Sequence, residues 1–201
     1  MIFSRAVPVG LVKFPEFTGL QLHMRQIHLV WKREGDGHIP AVEGVPEAYA
    51  GIVLEMLLQA REDYVRINHK SHYESLYLTI DERDIPAGES HRRGGVHYDG
   101  AYFVVQDKDP RWNTINRSEV MQGAGMIMAA SHMASWGWRG TLLGEAGPGG
   151  DCDHLRHQLC ELERFNLAAN AVYHGNATFV HESLPVAEPT RRQLVRITYS
   201  K

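Results

Sequence analysis

The chain has 201 residues, 43% of them hydrophobic and 22% charged, with a formal net charge of −3. That length is most simply one domain with a substantial core; the charge, with no long basic run, gives no support for a nucleic-acid partner. No stretch approaches the ~20 apolar residues of a membrane span, residues 1–10 are a poor signal peptide because Pro8 breaks a short apolar run, and only two cysteines, Cys152 and Cys160, point to a reducing, cytoplasmic setting.

Residues 1–45 are mixed, with a strand expected around 25–31 and a turn at Glu34-Gly35-Asp36-Gly37. Pro46 suits a first helical turn. Tyr49, Ile52, Val53, Met56, Leu57, Ala60 and Tyr64 then recur at steps of three and four, while Glu55, Gln59, Arg61 and Glu62 fill the other side. The spacing predicts a helix lying against a sheet. From about Tyr73 the period changes to two: Leu76, Leu78 and Ile80 alternate with Tyr77, Thr79 and Asp81, a strand pattern. Ile85-Pro86-Ala87-Gly88 turns the chain. Residues 96–105 read as a strand carrying His97 and Asp99 at its start, and 107–118, polar with Pro110, as a loop. Residues 126–130 and 135–143 read as strands and 144–150, with four glycines and a proline, as a loop. Asp151 or Asp153 is placed to cap a short helix through Leu162. Alternating strands are expected across 167–180, and 193–199 closes the chain. One N-terminal helix followed by many short strands with Gly/Pro turns predicts a mainly β fold with supporting helices, a jelly-roll or cupin-like double-stranded β-helix. Residues 1–72 supply the N-terminal strands and helix, and 73–201 the core.

Residues two apart on a strand share a face, so His97 and Asp99 can reach one ion while Tyr98 points away. Two imidazoles and a carboxylate on one face suit ferrous iron and leave positions open for substrate and dioxygen. His181 is the preferred third ligand and His174 the competitor.

These residues resemble a family. His97-x-Asp99, His181 and a following arginine are similar to the iron(II)/2-oxoglutarate-dependent dioxygenases. The run His181-Glu182-Ser183-Leu184-Pro185-Val186 resembles the His-Glu-x-x-Pro segment of prolyl-hydroxylase-like members, with phytanoyl-CoA-dioxygenase-like enzymes as further relatives. The resemblance covers residues 73–199. It implies Fe(II) held by His97, Asp99 and His181, 2-oxoglutarate as cosubstrate, and O2 as oxidant. It also implies release of succinate and CO2, with hydroxylation as the default outcome. The far carboxylate of 2-oxoglutarate then needs a fixed guanidinium. Arg191 and Arg192 follow His181 by ten and eleven residues, both spacings that occur in the family. Strand parity favours Arg192: Val195, Ile197 and Tyr199 share a face with Arg191 and form the helix-packed side, whereas Arg192 shares the inner side with Leu194, Arg196 and Thr198. Arg196 is a second possible contact, as in the taurine-dioxygenase-like branch. The ending departs from the common Arg-x-Ser.

Other features have plainer readings. Cys152, His154, His157 and Cys160 do not converge on one helix, so a zinc site there is disfavoured. Residues 144–150 lack the Gly-Lys-Ser/Thr ending of a phosphate loop. Arg92-Arg93 is read as a solvated turn that could also meet an anionic substrate. Met121, Met126, Met128 and Met133 are core filling, and Trp112, Trp136 and Trp138 are core or pocket lining. Asn116-Arg117-Ser118 and Asn176-Ala177-Thr178 are chance glycosylation matches. The substrate is expected to be a small molecule or an amino-acid-type group, selected by loops 107–118 and 144–150. Two other classes remain: a cupin-like metalloenzyme that uses no 2-oxoglutarate, and a non-catalytic jelly-roll binding protein.

Overall fold

The computed structural model describes residues 1–19, 22–34, 37–41, 45–69, 73, 75–99 and 124–200. Helix α1 (Glu47–Asn68) lies where the three-and-four stripe put it, and all seven stripe residues are buried. It ends at His69, whose left-handed φ of 54° lets its N–H bond back to the Val65 carbonyl. The stripe packs on one face of a large antiparallel sheet. That sheet contains β2 (Ala6–Leu11), β9 (Ala171–Asn176), β6 (Gly125–Ala130), β11 (Thr190–Ser200), β5 (Ser75–Ile85), β3 (His23–Glu34) and β4 (Gly37–Ala41), in that spatial order. Leu76, Leu78 and Ile80 of β5 and Val195, Ile197 and Tyr199 of β11 face the helix, as their alternation predicts. The expected turn after Glu34 has residues 35 and 36 outside the described set; β3 and β4 pair from Glu34↔Gly37 onward.

A smaller sheet covers the other face. Strand β7 (Ser135–Leu142) pairs with β8 (Glu163–Asn166), β10 (His181–Ser183) and β1 (Ile2–Ser4). Beyond β10 the chain adds bridges at Ser90↔Pro185 and His97↔His181. From β5 onward the chain therefore crosses between sheets: β5 in the large one, residues 90–97 in the small, β6 in the large, β7 and β8 in the small, β9 in the large, β10 in the small, β11 in the large. This is the double-stranded β-helix, mainly β as expected. Met126, Met128, Tyr173, Phe179 and Leu194 fill the space between the sheets. The outer side of the small sheet is covered by a 3₁₀ segment, Asp153–Glu161, whose Leu155 and Leu159 pack on Val96, Trp138, Leu142 and Val180. No helix among the described residues is long and apolar enough to cross a membrane.

Two local expectations change. The strand expected over 96–105 is, in its described part, a single bridged residue, His97; residues 100–105 lie outside the described set. Gly95, at φ +82°, interrupts extension just before it. The helix expected from Asp151 or Asp153 is 3₁₀, and its N-cap position, Cys152, makes no side-chain cap bond. The Asp153 carboxylate turns instead to the Val96 N–H.

Candidate metal centre

His181 opens β10 opposite Gly137 of β7. On its other side it exchanges two backbone hydrogen bonds with His97: His97 N–H to His181 O at 3.0 Å, and His181 N–H to His97 O at 2.9 Å. Directly opposed residues in such a pair project to one side, and their ring centroids lie 4.6 Å apart. Each imidazole is oriented by its own backbone. His97 Nδ1 lies 2.8 Å from the Gly95 carbonyl and His181 Nδ1 3.0 Å from the Phe179 carbonyl. A carbonyl only accepts, so both Nδ1 atoms carry a proton, which leaves each Nε2 as the ring atom available to an ion. Asp99 Oδ2 lies 3.2 Å from His181 Nε2. One ligand atom each from His97, Asp99 and His181 falls within 4.8 Å of the others, the one such group among the described residues.

The electrostatics suit a cation. Burial, then the neighbouring His181, lowers the His97 pKa to about 4, so that imidazole is neutral near pH 7. Burial alone would raise the Asp99 carboxyl, but the Arg196 charge and then the His181 hydrogen bond hold it well below the usual carboxylate range. Arg196, on the inner face of β11, makes an ion pair with Asp99.

Arg192 is also on that inner face, 2% exposed. Its Nη2 donates to Ser135 Oγ at 3.0 Å and its Nε to the His132 carbonyl at 3.2 Å. Burial lowers its pKa to about 10, with the Asp81 charge opposing the shift; it stays charged at neutral pH. No carboxylate is hydrogen-bonded to it among the described residues. Arg191 points the other way: it is 73% exposed, pairs with Asp84 at 3.3 Å and stacks over Phe17.

The competitor His174 is not near the triad. It lies on the helix-packed face of β9, fully buried, with Nδ1 2.6 Å from Asp63 Oδ2 and Nε2 2.5 Å from the Tyr199 hydroxyl. The disfavoured zinc cluster does not assemble: His154 Nε2 binds the Glu145 carbonyl at 2.9 Å, and Cys152 is buried while Cys160 is exposed. Trp138 is core beneath the 3₁₀ segment, and Trp136 lies under the Arg164 guanidinium. Met126 and Met128 are core, whereas Met133 is 53% exposed and fills none. Trp112, Met121, the sequon at 116–118 and loop 107–118 lie outside the described residues. Arg92 and Arg93 are not a free turn: Arg92 reaches Asp81 at 2.8 Å and Arg93 reaches Asp151 at 3.2 Å.

Sequence reasoning missed three groups around the centre. Asp81 and His91 are both fully buried, and the period-two pattern around Asp81 marks a strand without singling it out. Asp153, Arg156 and Glu182 form a chain behind the two histidines; nothing in their spacing announces it.

No family model and no curated protein matches the chain. Among solved structures, AviO1 from Streptomyces viridochromogenes Tue57 aligns with TM-score 0.45 and 11% identity, over 85% of this chain and 72% of its own. EvdO2 from Micromonospora carbonacea var. aurantiaca, complexed with 2-oxoglutarate, aligns with TM-score 0.43 and 16% identity, over 89% and 77%. SnoN, a non-heme alpha ketoglutarate dependent epimerase from nogalamycin biosynthesis, aligns with TM-score 0.40 and 15% identity, over 85% and 66%.

Proposed function

We propose that this chain is an iron(II)- and 2-oxoglutarate-dependent oxygenase acting on a small-molecule or amino-acid-type substrate, with hydroxylation as the default outcome. The observation that carries the reading is the pairing of two features inside one barrel. His97, Asp99 and His181 converge with both Nδ1 atoms held by backbone carbonyls, and a buried guanidinium, Arg192, hydrogen-bonds only a hydroxyl and a carbonyl among the described residues.

The donor set fits ferrous iron: two imidazoles and one ionised carboxylate leave half of an octahedron open. Bound there, iron supplies dioxygen activation coupled to oxidative decarboxylation of the cosubstrate. The chain's own groups do the rest. The Gly95 and Phe179 carbonyls fix the tautomers. Arg192, steadied by Ser135, offers two parallel N–H bonds to the far carboxylate of 2-oxoglutarate. Met126, Met128 and Phe179 keep water from the interior.

The test is anaerobic titration of the metal-free protein with iron(II), then 2-oxoglutarate, following the weak visible charge-transfer band of the chelate. The band is expected in the wild type, absent in His181→Ala and weakened in Arg192→Ala. Iron binding without a band overturns the cosubstrate and points to a cupin-like metalloenzyme. Failure to bind iron overturns the centre and leaves a binding protein.

A further inference from the structure

Arg192 has company at its end of the barrel. Asp81, on the adjacent strand β5, is fully buried, and so is His91, on the segment that leads to His97. Arg92 donates to Asp81 Oδ2 at 2.8 Å. Arg83 Nε and His23 Nδ1 approach the same carboxylate at 3.5 and 3.3 Å. His91 Nε2 lies 3.2 Å from Asp81 Oδ1 but off the line of a hydrogen bond, and His91 Nδ1 meets no partner among the described residues. Three guanidiniums (Arg83, Arg92, Arg192) and one carboxylate leave two positive charges before either imidazole is protonated. Buried polar groups are normally hydrogen-bonded, and an exception needs a reason. A fully buried imidazole whose Nδ1 has no hydrogen-bond partner among the described residues, near a buried guanidinium that no described carboxylate hydrogen-bonds, is a place suited to an anion with more than one acceptor oxygen.

We propose that His91 and Arg192 form one carboxylate-binding unit, in which a His91 N–H meets the same bound carboxylate that Arg192 holds. Asp81 and Arg92 keep the imidazole in place. The inference rests on the reading of Arg192 as the cosubstrate anchor and adds a second residue to it. It has a consequence that Arg192 alone lacks. The incoming carboxylate brings negative charge to His91 and favours its protonated form, so the anion enters together with a proton. In the free protein, burial first of all holds the His91 imidazole below its ordinary range; Asp81 opposes this, and Arg192 and Arg83 reinforce it. The charged groups facing it are Asp81 and Arg83 from β5, His23 from β3, Arg192 from β11 and Arg92 beside it. The unit selects a free carboxylate over an ester or amide, because a neutral group gives neither cation its charge partner.

The experiment is calorimetric titration of 2-oxoglutarate into zinc(II)-loaded wild type, His91→Gln and His91→Phe. It is run between about pH 6 and 8 in two buffers of different ionisation enthalpy. Wild type is expected to take up protons on binding and to bind several-fold more tightly at the acid end. His91→Gln keeps a donor that cannot titrate: binding persists, the proton uptake and its share of the pH slope vanish, and the acid-end affinity falls about tenfold, the scale of one charge-assisted hydrogen bond. His91→Phe, with neither donor nor charge, also loses the proton uptake and its share of the pH slope, and binds more weakly than His91→Gln across the range. Equal affinity and equal proton count in wild type and His91→Gln overturn the role of His91 while leaving Arg192 as anchor. Absence of 2-oxoglutarate binding in the wild type overturns the anchor reading itself, and this inference with it.

Discussion

Asp153→Ala should weaken metal binding from outside the centre. The Asp153 carboxylate accepts the Val96 N–H at 2.9 Å and two bonds from Arg156, at 2.8 and 3.2 Å. Arg156 continues to both oxygens of Glu182 at 2.6 and 3.3 Å. The residue before His97 is thus tied, through two side chains, to the residue after His181. The Val96 hydrogen bond is the first cause of the lowered Asp153 carboxyl pKa. Truncation leaves the N–H of a fully buried Val96 without a partner, which costs about 1–3 kcal/mol. Asp153 and Arg156 are each about half exposed, so their pairing adds only ~0.2–1 kcal/mol. A loss of about 2–3 kcal/mol in a chain of this size lowers Tm by about 4–12 °C. A metal ion must re-form the loosened His97 edge when it binds, so affinity should fall about 10-fold, within the range seen for groups that orient metal ligands. Asp153→Asn keeps an acceptor for Val96 and should recover most of both effects. Competition titration with cobalt(II), beside thermal melts of the metal-free variants, reads both. A lowered Tm with unchanged cobalt affinity and an unchanged cobalt spectrum would refute the reasoning.

Asp63→Asn should be costly for stability and silent at the metal centre. Asp63 bonds His174 at 2.6 Å and Arg5 at 2.8 Å and pairs with Arg66, so the loss is about 3–5 kcal/mol by denaturant unfolding, with cobalt affinity unchanged. Burial raises the Asp63 carboxyl, but its His174, Arg5 and Arg66 partners outweigh that and hold it below the usual range. Its contribution is therefore present above about pH 4 and lost as pH falls further, and wild type and variant should converge in acid. Arg196→Met removes the cation that neutralises Asp99. The metal-free variant should melt lower, while cobalt(II) binds about three- to tenfold more tightly because no guanidinium has to be displaced; weaker binding would contradict the account.

The helix and the strand pattern were legible because each has a burial rule with a simple period. The stripe from Tyr49 to Tyr64 fixes α1, and alternation in β11 separates Arg192 and Arg196 from Val195, Ile197 and Tyr199. The same rule says less on β5. Thr79 and Asp81 alternate with Leu78 and Ile80, which marks a strand but does not say what covers its polar side; both faces of β5 are covered, one by α1 and one by the second sheet. The choice between His174 and His181 was open for a related reason. Val172 and Tyr173 are both apolar, so the neighbours of His174 do not say which side of β9 faces the helix; the Asp63 contact, 111 residues away, decides it. The His97 segment reads in sequence as the start of a strand over 96–105. What shapes it is non-local: Asp153 and Cys152 hold the Val96 N–H and carbonyl, and Gly95 turns the chain where an added Cβ would lie 2.3 Å from Asp153 Oδ2.

The placement of charge follows from the same geometry. Strand β11 runs between β6 and β5, near the middle of the large sheet, so its inward side chains reach the centre of the barrel rather than its rim. Two arginines there are expensive, since a buried guanidinium without a partner costs several kcal/mol. Arg196 offsets its cost through Asp99, and among the described residues Arg192 hydrogen-bonds only Ser135 and the His132 carbonyl. A fold that needed bulk at position 192 would be served by leucine, as at 194 on the same face. A guanidinium kept there at such cost makes chemical sense when an anion regularly completes it, and the neighbouring His91, buried with its Nδ1 unbonded among the described residues, points to the same end of the barrel. Under the proposed function, the triad would define where an ion sits, and the positive charge at Arg192 would supply the second fixed point that an elongated dianion needs to lie in one orientation beside it.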